Sequence, residues 1–234
     1  GGVIAPVLTA WLLADHLAWQ HVLLLYGAVG VFVAALFWRN IRDSAAEHPK
    51  SNAAEQALVA KTDNSRSTEA PPWPPLGPLV KSGSMWLMSL LQFSVNVGWV
   101  FLVSWLPKYL KEQHAVPEKT GGLMSTIILV TGVVGLLLGG PLADWLRQRH
   151  GEQRGRTLQL VGALACAALA YGVVLLLDSP WPIVGALAVV AFMTDLGIPA
   201  IWAYMMDVGG RNAAAVFGWG NMWGNFGAFT AINL

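Results

Sequence analysis

Four times between Met85 and Met206 the sequence stays apolar for about twenty residues, the length an α-helix needs to cross the hydrocarbon of a bilayer. These runs are Met85–Leu106, Leu123–Ala143, Leu158–Leu177 and Ile183–Met206. Leu17–Trp38 is a further run of the same kind, Val3–Ala14 a shorter one ahead of it, and another begins near Ala213. Seven spans are expected, five of them complete. In lipid each backbone N–H and C=O must be paired within the protein, so runs of this length fold as helices. The expected fold class is all-α, a polytopic membrane protein. Only 12% of the residues are charged, about half the share in a soluble domain. The 12 tryptophans suit membrane interfaces and the 25 glycines suit closely packed membrane helices.

Orientation follows from the loops. Residues 39–82, 143–157 and 207–212 fall on one side by alternation and hold 11 of the 14 basic residues. The other side has only Lys108, Lys111 and Lys119. Excess Lys and Arg marks the cytoplasmic side. The net charge of +1 gives no footing for nucleic acid.

The polar segment 39–82 carries six basic and five acidic residues, with five prolines between positions 71 and 78. It reads as a cytoplasmic linker, flexible and then stiffened by proline, and is expected to be poorly ordered. It sets two spans apart from five. The single cysteine, Cys166, sits in an apolar run, makes no internal disulfide and reads as a packing residue. The chain opens Gly1-Gly2 with no signal peptide and ends at Leu234 within an apolar run, the pattern expected of a fragment of a longer membrane protein.

Polar groups inside the apolar runs carry the chemistry. Ser89, Gln92, Asn96 and Trp99 follow one another at helical spacing and share a face. Amides in lipid must find partners in the protein, so the stripe is either glue between helices or a wall that donates to hydroxyls and carboxylates. Asp195 lies deep in the sixth run, four residues before Pro199, which breaks the helical hydrogen bonding. A carboxyl at such depth faces a protein interior or a wet cavity. It fits proton binding or a structural bond to a neighbour. Asn221 and Asn225 are four apart on the seventh run. At a rise of ~1.5 Å per residue, Gln92, Asn96, Asp195, Asn221 and Asn225 all lie roughly 10–18 Å into their spans. Their convergence on one site near the midplane is therefore expected. Gly132, Gly135 and Gly139, and the Gly220–Gly224 pair, have the spacing that lets helices approach closely.

With the spans placed, several strings resemble the major facilitator superfamily, and within it the anion:cation symporters of sugar acids and other organic anions. Arg42-Asp43 with Glu47-His48-Pro49 is similar to the start of that family's central loop. Ser104-Trp105-Leu106-Pro107-Lys108-Tyr109-Leu110 is similar to its W-L-P-x-Y-L end of helix seven, and Gly140-Pro141-Leu142-Ala143-Asp144 to the G-x-L-A-D signature after helix eight. Gly218-Trp219-Gly220-Asn221 with Gly224-Asn225 resembles helix eleven. Trp145 and Arg147 depart from the usual continuation of the signature, and Trp19-Gln20 stands where the family has Trp-Arg.

The resemblance implies a partial major-facilitator bundle, helices five to eleven of twelve. Residues 1–38 would close the N-terminal bundle, 39–82 link the bundles, and 83–234 form most of the C-terminal bundle. It implies a proton-coupled symporter of an organic anion such as a sugar acid, working by alternating access, in the cell membrane and, in a bacterium, the inner membrane. Helices seven, ten and eleven would surround the substrate. Asp144, Arg147 and Arg149 would form a cytoplasmic gate, with Asp207 and Arg211 as a second clasp. The expected partners are a small-molecule substrate, protons and the lipid bilayer. Alternatives are an exporter of neutral or lipophilic solutes and a transport-inactive sensor or scaffold. No cofactor, metal or enzyme pattern is present: the histidines at 16, 21, 48, 114 and 150 have no ligand spacing, and no H-E-x-x-H, G-x-S-x-G or phosphate loop occurs.

Overall fold

The apolar runs fold as helices in a computed structural model that describes residues 8–9, 12, 18–42, 51–57 and 76–233. We label α1 Trp19–Asn40, α2 Leu76–Lys81, α3 Gly83–His114, α4 Glu118–His150, α5 Glu152–Val174, α6 Pro180–Gly209 and α7 Ala213–Ile232. No strand occurs among the described residues. Five helices, α1 and α3 to α6, are long and apolar enough to cross a membrane. The chain divides into two compact units, Gly1–Ala70 and Pro71–Leu234. In the first, α1 is the long element. Most of 39–82 lies outside the described residues, including Asp43, Glu47 and the proline cluster up to Pro75. Helix α2 lies inside that segment and buries Leu79.

Two helices outrun their apolar spans. Helix α4 continues past Ala143 through Leu146, Arg147 and Gln148, good helix formers, until Gly151 ends it at φ +82°. Helix α3 continues past Leu106 and ends at Ala115, at φ +51°, where the Val116 N–H reaches back to the Leu110 carbonyl. Within α3 the stretch Phe101–Trp105 is a π-helix, and the Leu106 N–H bonds Phe101 five residues back.

In the second unit α4 packs along α6, α5 lies against both, and α3 pairs with α7. Small residues set these contacts. A side chain at Gly135 would collide with the backbone of Phe192, and one at Gly139 would stand 2.6 Å from the Leu196 carbonyl. Gly224 and Gly227 bring α7 close against α3, and Gly220 leaves room for Met205 of α6. Leu106, Leu110, Met124, Ile183 and Leu187 fill the core at one end, and Met85, Met88, Ile201, Met205 and Val216 fill it at the other. The outer faces are as apolar as the core: Leu87, Leu137 and Leu169 are about 70% exposed. Faces like these are a liability in water and the natural surface in lipid. Cys166 is exposed among them, so it is not the packing residue its apolar run suggested.

Candidate functional site

Helix α3 presents three flanks. The first meets α7. Ser89 is 2% exposed, donates to the Met85 carbonyl at 2.7 Å and accepts from Trp219 Nε1 at 2.8 Å. Asn96 donates to the Gln92 carbonyl at 2.9 Å, and its amide would be 2.7 Å from a side chain added at Gly224. The Gln92 side chain lies against Gly220. These three polar groups are held where α3 and α7 touch.

The second flank opens on a cavity of about 440 Å³ between α3, α4, α5 and α6. Ser94, Trp99, Tyr171, Thr194 and Asp195 give it polar points within walls of leucine, valine and alanine. Two glycines make room for it. An added side chain at Gly132 would be 2.5 Å from the Asp195 carboxylate, and one at Gly98 would be 2.9 Å from the Tyr171 hydroxyl. Among the described residues the ion pairs are Arg147–Glu152 and Arg156–Asp207, so the Asp195 carboxylate has no basic partner.

Asn221 and Asn225 are exposed on α7, and Asn225 donates back to the Asn221 carbonyl at 2.8 Å. Within the described unit the four amides and the acid therefore do not line one cavity. Equal depth put them on one level, but rotation about each helix axis decided which neighbour each one met. Gln92 and Asn96 point to α7, Asp195 to the cavity, and Asn221 and Asn225 to neither.

The end of the unit that carries the arginines is built from exposed side chains. Asp144 is exposed, Arg147 lies 3.7 Å from Glu152, and Arg149 stands 5.4 Å over the Trp145 ring. Asp207 pairs with Arg156, a residue of α5. The Arg211 side chain lies outside what is described. Just inside this end Gln159, 3% exposed, donates to the Gly139 and Leu196 carbonyls at 2.9 and 2.7 Å and so ties α4, α5 and α6 together.

Tyr171, Thr194, Ser94 and Gln159 were not singled out from sequence. Each is an isolated polar residue in or beside a span, and nothing in its spacing names its partner on another helix.

The family model of the Major Facilitator Superfamily matches residues 1–232. The chain belongs to that superfamily. It is a multi-pass membrane protein, a partial helical bundle of that fold. The chain is 25% identical over 236 residues to a protein of Escherichia coli named probable galactarate/D-glucarate transporter GudP, covering 95% of this chain and 51% of that one. It is 29% identical over 233 residues to the probable sulfoacetate transporter SauU of Cupriavidus necator, covering 93% and 50%. A probable L-galactonate transporter of Escherichia coli is 27% identical over 168 residues, 71% of this chain and 36% of that protein. The chain thus spans about half the length of the first two relatives.

Proposed function

We propose that this chain is part of a proton-coupled symporter that moves a small organic anion of the sugar-acid kind by alternating access. The observation that carries the reading is that relatives named for galactarate, D-glucarate and sulfoacetate align along nearly all of it. In this reading α1 belongs to the N-terminal bundle and α3 to α7 to the C-terminal one, with the segment between them on the cytoplasmic side, where the basic residues concentrate. In a bacterium the membrane is the inner one.

The roles divide by chemistry. Asp195, a carboxyl without a cationic partner in a mostly apolar cavity, carries a proton. Asn221 and Asn225, exposed on α7, offer amides to the substrate. Gln92 and Asn96 position α7 against α3 and add polar groups beside it. Asp144, Arg147, Arg149, Asp207 and Arg211 belong to the cytoplasmic gate, which opens as the bundles rock, while the Arg156–Asp207 pair, within one bundle, holds α5 to α6 at that end.

The test is D-glucarate uptake by the full-length protein in proteoliposomes with and without an inward proton gradient. The gradient should drive accumulation. Asp195→Asn should lose accumulation while keeping exchange of external for internal D-glucarate, and Asn221→Ala should raise KM. Normal accumulation by both variants would refute these roles.

A further inference from the structure

The third flank of α3 bears a second hollow. It measures about 450 Å³ and runs from Val97 and Phe101 to Lys108, Tyr109 and Glu112, with Ala231 of α7 on its far side. It lies at the end of the unit opposite the arginine-rich loops, so by the charge count it opens to the non-cytoplasmic side.

Helical spacing explains why these residues share a flank: Val97, Phe101, Trp105, Lys108 and Glu112 follow one another four, four, three and four residues apart. An i→i+5 turn admits one residue more than an α turn, and such bulges recur at functional sites. The π turn Phe101–Trp105 lies within this stripe, at the wall of the hollow. Trp105 is fixed there by donating its Nε1–H to the Ala231 carbonyl at 2.9 Å. The Lys108 ammonium stands 5.1 Å from the centre of the Trp105 ring.

That placement leaves Lys108 available. Glu112 is four residues on, the usual spacing for an ion pair on a helix, yet Lys108 is not among the ion pairs of the described residues. Its charge is held by the indole face and is exposed toward the hollow. No Arg or Lys lies within the apolar runs from Met85 to Met206, so Lys108 is the first cation at this mouth that an anion can meet inside a pocket. The remaining groups suit a hydroxylated acid. Glu112 and Gln113 accept from and donate to hydroxyls, while Phe101 and Trp105 offer flat apolar faces to C–H groups. A few placed polar groups in an aromatic-walled hollow of this size are the usual make-up of a small-molecule site.

We propose that this hollow is an anion-capture subsite at the non-cytoplasmic mouth, holding the carboxylate of a small hydroxylated acid on Lys108 against Trp105 before translocation. The proposal rests on the transport reading for its physiological role. Its binding step is measurable without transport.

The experiment uses the full-length protein with D-glucarate as probe, in two arms. Initial uptake rates in proteoliposomes give KM and kcat, and calorimetric titration of the detergent-purified protein gives Kd. Lys108→Gln should raise both KM and Kd by about three- to tenfold with kcat within about twofold, the range for losing one charge-assisted contact at a partly exposed site. Lys108→Arg should restore both. Lys111→Gln, outside the hollow, should change neither. High salt should narrow the gap between wild type and Lys108→Gln. Uptake with normal KM and Kd in Lys108→Gln would overturn the subsite and leave the transport reading intact. Binding that depends on Lys108 without any uptake by wild type would do the reverse. Neither uptake nor binding by wild type would overturn both.

Discussion

Gln159 shows how much one polar side chain can do where water is absent. Its amide donates to two carbonyls on two other helices, Gly139 and Leu196. Leu196 follows Asp195, whose carbonyl loses its usual donor because Pro199 has no N–H, so the glutamine adds a donor beside the break in the α6 ladder. Gln159→Leu should therefore destabilise the purified protein by about 1–2 kcal/mol, the cost of leaving such carbonyls unpaired, tempered by the partners a membrane protein finds when it loosens. Gln153→Leu, at an exposed position of the same helix, should be near neutral. Thermal unfolding in detergent checks this, and equal midpoints for the two variants would refute it. That Gln159 is polar in an apolar run was readable from sequence. Its two partners, 20 and 37 residues away, were not.

At the scale of elements, backbone proximity matters more than apolar area, because lipid is as good a solvent for leucine as a neighbouring helix is. Helix α4 tests this within itself. A methyl at Gly135 meets the Phe192 backbone, which cannot move aside, whereas one at Gly140 meets nothing within 4 Å. Gly135→Ala should cost about 1–3 kcal/mol or force α4 and α6 apart, as overpacking does elsewhere. Gly140→Ala should be neutral or slightly stabilising, since alanine favours the helix. Folding yield and thermal midpoint of the two variants decide the matter, and indistinguishable behaviour would contradict it. The glycine spacing in α4 was legible beforehand, and so was its packing role. Which face of α3 turned toward the Asp195 cavity and which toward α7 was not, because a stripe at helical spacing fixes a face without naming what lies opposite.

At the scale of the whole molecule, a gate acts on rates. The Arg156–Asp207 pair joins α5 to α6 at the charged end, and both partners retain solvent contact, so it is worth about 1 kcal/mol or less as a stabilising pair. As residues of the proposed cytoplasmic gate, Asp144 and Asp207 act on rate: Asp144→Asn and Asp207→Asn should each change kcat for D-glucarate while leaving Kd within about twofold. Uptake kinetics beside equilibrium titration separate the two parameters, and a large loss of equilibrium binding with a normal rate would contradict the gate. The sequence by itself determined the all-helical membrane fold, its spans and the superfamily, because the lack of water in lipid turns length and polarity directly into structure. Only the tertiary structure decided the pairing of Asp207 with Arg156, the separation of Asp195 from Gln92 and Asn96, and the pocket beside Lys108. Those depend on rotations about helix axes, set by which backbones approach closely enough to touch.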